Sequence, residues 1–247
     1  MKRYFIILLC GIQCYFSSIL EANSQDSSGV NNFTQIALDN TIALYSQSAG
    51  AQLRLYNGSA YEDYRFAFNR GQPYFNSKEA GIGAVSYDGI LYKNVPMWYD
   101  LLSDKVIIEH YDDASQISLI REKIAYFTLH NHTFIHLKHD SVANSILREG
   151  FYDQLYQGQV TLFAKRINKL EQRTLQSGVE RTIDQQVRYF LKKDGKYYTI
   201  KSQHALLNHL KDKKKELQQY IKQNKIRYGE KQEDALIKIA AYYDNLK

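Results

Sequence analysis

The feature that most constrains the fold is a series of short apolar runs between residues 81 and 200. The runs are rich in Val, Ile, Tyr and Phe, and turn residues separate them at intervals of about 8–12 residues. Asp88-Gly89 and Asp194-Gly195 each lie between two runs, and Asp-Gly in this setting is a strong signal for a two-residue hairpin turn. The pattern therefore predicts a meandering antiparallel sheet.

The predicted strands cover residues 83–87, 90–95, 106–108, 117–120, 124–129, 134–137, 152–156, 159–167, 186–191 and 196–200, with one more at 52–56. The chain contains 21 Tyr and 11 Phe, residues that favour strands. It contains only 13 Gly and 2 Pro, which excludes a collagen-like or linker-like chain. We expect a curved antiparallel sheet of about eight to ten strands. An open half-barrel with helices in its mouth, as in periplasmic lipoprotein carriers, is the alternative.

The last third of the chain changes from a strand period to a helix period. Ser202 can cap a first helix, and a break at 224–229 precedes a second helix that has Glu233 and Asp234 in its first turn. The apolar stripe of the first helix is Leu206, Leu207, Leu210, Leu217, Tyr220 and Ile221. We predict a helical hairpin over residues 201–247 that packs on the sheet. A weaker helical pattern covers residues 32–49.

The N-terminus has the parts of a secretory signal peptide. Lys2 and Arg3 precede an apolar run, and small residues at 22–24 precede Gln25, where we expect cleavage. The run of about 16 residues is shorter than the ~20 needed to span a bilayer, although an uncleaved anchor is the alternative. Cleavage removes Cys10 and Cys14, so the mature chain would have no disulfide and no thiolate site.

These patterns predict an α+β protein in four segments. Residues 1–24 form the signal peptide, and residues 25–50 form a polar segment with the weak helix. Residues 51–200 form the β-rich domain, and residues 201–247 form the basic helical hairpin. No later stretch is long and apolar enough for a transmembrane helix.

Charge is divided unevenly along the chain. Residues 25–160 carry 10 basic and 15 acidic residues, whereas residues 161–247 carry 20 basic and 10 acidic residues. In an exported protein, such a basic region suits anionic lipid head groups, polysaccharide or an acidic protein surface, and export argues against nucleic acid. A solvated helical face beside an acidic sheet is the simpler explanation. The densest basic run is predicted as an anionic-surface contact and comprises Lys211, Lys213, Lys214 and Lys215.

Motifs of the common enzyme classes are missing from the sequence. It contains no G-x-S-x-G, H-E-x-x-H, phosphate-binding G-x-x-x-x-G-K-S/T or dinucleotide-binding G-x-G-x-x-G. We therefore predict no enzymatic activity, no catalytic residue and no cofactor. Glu109 and Asp112, close to His110 and Asp113, are the carboxylates that a hydrolase would use. Acidic residues between strands are also ordinary turn formers.

Four of the seven histidines fall within ten residues, at His130, His132, His136 and His139, beside Asp140. Neutral imidazoles are good metal ligands, so this cluster is the main candidate for a metal site. However, 130–132 lies where a tight turn should join two strands. We also expect Ile135 and Leu137 to face the core, which would point His136 to solvent. No metal ligand is therefore assigned, and the question of metal binding stays open.

Several stretches carry a family resemblance. They are Leu55-Tyr56-Asn57-Gly58, Gly71-Gln72-Pro73-Tyr74-Phe75, Tyr87-Asp88-Gly89 with Asn94-Val95-Pro96, Gly150-Phe151-Tyr152, and the helices after Asp212-Lys213-Lys214-Lys215. Together they resemble an uncharacterised family of exported envelope proteins from Bacteroidota-type bacteria, over most of the mature chain. The motifs are turn and core residues, so the resemblance implies no activity and no site. It does imply the periplasm or outer envelope of a Gram-negative bacterium.

We predict an exported, non-enzymatic cell-envelope protein that binds a lipid, a glycan or a partner protein. One alternative is a periplasmic lipid or lipoprotein carrier, which needs a continuous apolar lining that faces an open cavity. Another is a hydrolase of an envelope polymer, which needs two carboxylates that face each other across a cleft.

Overall fold

The computed structural model describes residues 54–112, 115–138, 146–229 and 231–246, together with six helical positions between residues 34 and 44. Residues 1–50 and 51–247 are separate compact units. The six helical positions fall within the predicted weak helix. The predicted signal peptide, its cleavage site, Asp113, His139 and Asp140 lie outside the described residues.

In the described part of residues 51–247, eleven strands form one open antiparallel sheet. They are β1 (Ser59–Ala60), β2 (Gly81–Tyr87), β3 (Ile90–Asp100), β4 (Lys105–Glu109), β5 (Gln116–Ser118), β6 (Ile124–Leu129), β7 (His132–Leu137), β8 (Gly150–Gln157), β9 (Thr161–Leu175), β10 (Gly178–Lys193) and β11 (Lys196–Ile200). Their order is β1-β5-β4-β3-β2-β6-β7-β8-β9-β10-β11. The α+β class and the unclosed antiparallel sheet are confirmed, with more strands than the eight to ten expected.

The hairpin turns follow the sequence closely. Asp88 and Gly89 have φ values of 52° and 79°, and Asp194 and Gly195 have φ values of 51° and 73°. Two positive φ angles are what a two-residue turn of type I′ requires, because its twist matches that of the strands. Both Asp-Gly hairpins are therefore confirmed.

Two strand predictions differ from the structure. The strand predicted at 52–56 is wrong, because Arg54–Tyr56 is a 3₁₀ turn that the bond from Asn57 N to Arg54 O (3.1 Å) closes. Strands β9 and β10 run far beyond the predicted 159–167 and 186–191. Their shared tip, residues 171–179, is exposed, so the hydrogen bonds of the β9–β10 ladder hold it rather than burial. Charged residues such as Arg173 and Glu180 stand opposite each other on this ladder.

Three C-terminal helices cover one face of the sheet. They are α1 (Gln203–His209), α2 (Lys214–Gln223) and α3 (Gln232–Asn245), and Ser202 Oγ caps α1 by accepting from Ala205 N at 3.1 Å. A 3₁₀ turn, Lys211–Lys213, divides the first predicted helix into α1 and α2. The division brings Asp212 within 2.7 Å of both Lys193 Nζ and Tyr243 Oη. The buried contact between helices and strands comprises Val160, Leu162, Ala164, Tyr189, Leu191, Ile200, Leu206, Leu207, Leu210, Leu217, Leu236, Ile239, Ala240 and Tyr243.

A second buried area is aromatic. The rings of Phe127 and Phe134 stack with their centroids 4.8 Å apart, and Tyr99 and Phe151 meet them edge to face. Phe75 closes this aromatic cluster against Phe134 at 5.0 Å. Edge-to-face and offset contacts of this kind are the favoured geometries between aromatic rings. None of the helices that the structure describes is long and apolar enough to cross a membrane.

The helical contact gives a first prediction. Leu236 is 0% exposed between α3 and the sheet, so Leu236→Ala should cost about 2–5 kcal/mol in the free energy of unfolding. Leu175 is 50% exposed, and Leu175→Ala should change it by less than about 0.5 kcal/mol. Urea unfolding of both variants measures the difference. Equal losses would mean that the helices contribute little to the fold.

Candidate functional site

A group of charged side chains lies where the sheet meets α3, and we call it the charged centre: His132, Asp153, Arg166 and Glu233. Asp153 is 1% exposed. Arg166 donates from Nε (2.9 Å) and Nη2 to Asp153 Oδ2, and from Nη2 to Glu233 Oε1. His132 Nδ1 lies 2.8 Å from Asp153 Oδ2. One guanidinium therefore links two carboxylates from a strand and a helix.

The strand register brings these groups together. Asp153 on β8 lies opposite Phe134 on β7 and Ala164 on β9, so these side chains share one face. Arg166 lies two residues beyond Ala164 and therefore projects from the same face. Its guanidinium is 5.4 Å from the centroid of the Phe75 ring, a cation–π contact. The charged centre thus sits against the aromatic cluster.

Tyr189 extends the charged centre along the sheet. Its hydroxyl donates to Glu233 Oε2 at 3.4 Å. Burial and the nearby negative charge of Glu233 raise the pKa of Tyr189 to about 12. The tyrosine therefore stays neutral at physiological pH and serves as a hydrogen-bond donor.

Three members of the charged centre have the residue types of a metal site. One ligand atom from each of His132, Asp153 and Glu233 lies within 4.8 Å of the others. Arg166 already donates to both carboxylates. A metal cation there would have to displace the guanidinium and would be repelled by its positive charge. The arrangement fits an internal ion-pair network better than a metal site.

The histidine cluster is only partly as predicted. His130 and Asn131, with φ values of 49° and 65°, form the expected turn between β6 and β7. The prediction that His136 faces solvent is wrong, because its side chain is 2% exposed and its ring is 5.3 Å from that of Phe151. Ile135 packs against a smaller apolar group on Tyr152 and Phe163. Both faces of β7 are covered, so alternation alone could not show which face His136 occupies.

The two carboxylates considered for hydrolysis lie at the end of β4 and in the turn that follows it. Asp112 Oδ1 accepts from Ser115 N (3.3 Å) and Ser115 Oγ (3.2 Å), and lies 3.1 Å from His110 Nδ1. Glu109 is exposed at the end of β4, opposite Gln116. Asp112 therefore acts as an acceptor that closes the turn between β4 and β5.

Two further acidic residues hold loops in place. Asp100, 0% exposed, accepts from Tyr64 Oη at 2.8 Å and from Leu102 N at 2.8 Å. Asp104 accepts from Lys165 Nζ at 2.8 Å, and burial lowers the pKa of Lys165 although Asp104 opposes this effect. Both carboxylates have partners within the chain, which fits structural roles.

The helices and their linkers, residues 203–246, form a layer that we call the basic helical layer. Its cations point outward. The exposed ones are Lys211, Lys215, Lys222, Lys225, Arg227, Lys231 and Lys238, and Lys213 and Lys214 are half-buried. Lys214 Nζ donates to the side chain of Asn208 at 2.9 Å. The predicted run Lys211–Lys215 is thus spread over the 3₁₀ turn and the first turn of α2.

The carboxylates of the same layer mostly bond inward. Asp212 accepts from Lys193 Nζ and Tyr243 Oη, and Glu233 accepts from Arg166. Asp244 accepts from Tyr156 Oη (2.9 Å) and Gln159 N (2.8 Å). Three of the five described acidic residues of the layer therefore hold it to the sheet, which leaves Glu216 and Asp234 beside the outward cations.

A cleft of about 560 Å³ lies at the junction of α2 and α3, and we call it the basic cleft. Its lining residues are Asn224, Lys225, Ile226, Arg227, Gly229, Lys231, Asp234, Ala235 and Lys238. Sequence analysis missed it because its cations are spaced over a linker and α3 and form no dense run. The one available signal was the break at 224–229, which is basic and lies between two helical patterns.

No family model, curated protein or solved structure matches the chain. The resemblance to exported Bacteroidota proteins stays a prediction. The function is therefore argued from the geometry of the described residues.

The charged centre yields a second prediction. Arg166→Met should cost about 3–5 kcal/mol in the free energy of unfolding, because it leaves Asp153 charged, buried and without its main partner. The double variant Asp153→Asn with Arg166→Met should lose less, because the buried charge is gone. Arg173→Met, at a side chain 73% exposed, is the control. If Arg166→Met is as stable as Arg173→Met, the charged centre does not hold the helices to the sheet.

A third prediction concerns acid. Burial acts to raise the pKa of Asp212, but hydrogen bonds from Lys193 and Tyr243 outweigh it and hold this pKa below its usual value. The stabilisation is therefore full above the unfolded pKa of about 3.9 and is lost as pH falls through the folded value. Asp212→Asn should be less stable than the parent at pH 7, and the gap should narrow below about pH 4. Urea unfolding at several pH values measures it, with Glu216→Gln as control. A stability difference between the parent and Asp212→Asn that does not change with pH would contradict an origin in the charge of Asp212.

Proposed function

We propose that this protein is an exported, non-enzymatic binding protein of the bacterial cell envelope, whose basic helical layer contacts an anionic envelope component. The observation that supports this most directly is the sorting of charge in the layer. Asp212, Glu233 and Asp244 bond to the sheet, while seven cations are exposed on the outside. A solvated face that serves solubility alone does not require its acidic residues to bond to the sheet.

The sorting of charge has a physical consequence. An excess of exposed cations over carboxylates produces a positive potential, which attracts anionic surfaces and speeds encounter. This attraction acts over a Debye length of about 8 Å at physiological ionic strength. Binding by the layer should therefore be sensitive to salt.

The layer also presents its cations on a rigid support. Tyr220 of α2 stacks on Tyr242 of α3 with centroids 3.9 Å apart and planes 4° apart. Leu217 and Leu236 are fully buried below them. Preorganised cations lose less conformational entropy on binding than cations on a loose segment.

The two alternatives have less support. A carrier needs an apolar face that lines an open cavity, but Leu206, Leu217 and Ile239 cover the apolar face of β9–β11. A hydrolase needs paired carboxylates in a cleft, but Asp112 closes a turn. A carrier would need a different apolar face, and a hydrolase would need carboxylates other than Glu109 and Asp112.

Vesicle binding tests the proposal. The mature chain should cosediment with phosphatidylglycerol vesicles and not with phosphatidylcholine vesicles, and the binding should weaken as salt increases. At ~1 kcal/mol per cation near an anionic surface, neutralising four should weaken binding on the order of 1,000-fold. The variant carries Gln at Lys211, Lys215, Lys222 and Lys238.

A matched control removes the same charge from the sheet, with Gln at Lys105, Lys169, Arg173 and Lys196, all exposed. This control should bind like the parent. Equal losses in both variants would show that net charge alone is responsible. Capture of an acidic envelope protein without vesicle binding would replace the anionic component by a protein partner.

A further inference from the structure

The basic cleft combines charge and enclosure more closely than the rest of the layer. Four of its lining side chains are cations, Lys225, Arg227, Lys231 and Lys238, and Asp234 is the one carboxylate among its described lining residues. Its volume of about 560 Å³ lies within the range of small-molecule sites, about 300–1,000 Å³. The cleft is therefore large enough for a head group rather than a bare ion.

The backbone at the cleft supports a binding role. Helix α2 ends at Gln223 and is capped by Asn224, and the next residue, Lys225, has a φ of 51°. Lys225 N donates to Lys222 O and Ile226 N donates to Ile221 O, the pair of bonds that defines a Schellman motif. Glycine is the usual residue at this left-handed position, because a side chain is disfavoured there. The chain instead places a lysine there, at the edge of the cleft.

The described part of the linker, residues 225–229, is anchored to the helices and the core. Tyr228 packs partly buried against the helical contact. Gln232 Nε2 donates to Tyr228 Oη at 2.7 Å, which ties the linker to the first turn of α3. Ala235, one of the lining residues, is buried. The cations of the cleft therefore project from a defined framework.

The set of groups suits a phosphate ester. A guanidinium can bind two phosphate oxygens at once, and ammonium groups add point charge around it. Helix α3 begins beside the cleft, with Lys231 and Asp234 among the lining residues, so the positive end of its helix dipole lies close by. Asp234 can accept a hydrogen bond from a hydroxyl beside the phosphate. An ester with hydroxyl groups matches this set better than inorganic phosphate does.

We propose that the basic cleft is a binding site for a phosphate ester that carries hydroxyl groups, which deepens the proposed function by naming the group recognised. The ester can be a lipid head group or a soluble sugar or glycerol phosphate, because both present the same chemistry. The two sources differ in whether a vesicle surface is required.

Calorimetry with the mature chain tests the cleft. The probes are glycerol 3-phosphate, inorganic phosphate and glycerol, followed by phosphatidylglycerol vesicles. Glycerol 3-phosphate should bind more tightly than inorganic phosphate, and glycerol should not bind. Arg227→Gln with Lys231→Gln should weaken the binding by about tenfold or more, because charge-assisted hydrogen bonds are lost. Lys211→Gln with Lys215→Gln removes equal charge from the layer outside the cleft and should leave the affinity for glycerol 3-phosphate within about twofold.

Lys225→Gly is the most informative variant. Glycine suits the left-handed backbone, so the melting temperature should be unchanged or higher while the affinity for glycerol 3-phosphate falls. Weaker binding with an intact fold would assign the lysine to the ligand. Unchanged affinity in both Lys225→Gly and the Arg227/Lys231 variant would overturn the proposal.

The outcomes separate the cleft from the wider proposed function. In one outcome, the Lys211/Lys215 variant and the Arg227/Lys231 variant lose equal amounts of vesicle binding, and neither variant binds glycerol 3-phosphate. The helical layer is then still an anionic contact, but the cleft proposal fails. If glycerol 3-phosphate binds in the cleft and vesicles do not bind, the cleft proposal holds with a soluble ester, and contact with an anionic surface fails.

Discussion

The buried ion pairs of Arg166 are the interaction on which the arrangement of sheet and helices depends. One guanidinium bonds to Asp153 of β8 and Glu233 of α3, so the position of the last helix is fixed by a charge on the sheet. Buried carboxylates are costly unless they are paired. Once Asp153 is buried at this point, Arg166 and Glu233 have little freedom in where they can lie. Apolar contacts on either side then complete the packing.

The same principle explains the charge of the outer surface. Asp212 and Asp244 bond to Lys193 and to the β8–β9 turn, so two further carboxylates of the helical layer hold it to the sheet. Each acidic residue used in this way leaves the outer face more positive. The attachment of the layer and its basic surface are therefore two results of one distribution of charge. A binding role would use a surface that the fold already requires.

Sequence reasoning succeeded where local rules decide the structure. The Asp-Gly turns, strand β6, strand β11 and the Ser202 cap follow from turn chemistry, short-range alternation and capping. It failed where distant contacts decide, as at His136, whose strand is covered on both faces. It also could not find the charged centre, because Asp153, Arg166 and Glu233 are far apart in sequence and only the register joins them. The basic cleft was missed because its cations are spaced along a linker and α3, and only the fold of the linker onto the helix gathers them.

The length of β9 and β10 has a consequence for how the protein opens. The outer ribbon, residues 171–179 around the turn between β9 and β10, is exposed, and it carries Leu175 and Val179. Segments with little buried surface open locally at low free energy, without unfolding of the core. Charged side chains such as Arg173 and Glu180 along the ribbon also discourage other strands from pairing with its edges. The outer ribbon can therefore exchange its amide hydrogens quickly while the helical layer stays protected, which makes it a locally independent unit within one continuous sheet.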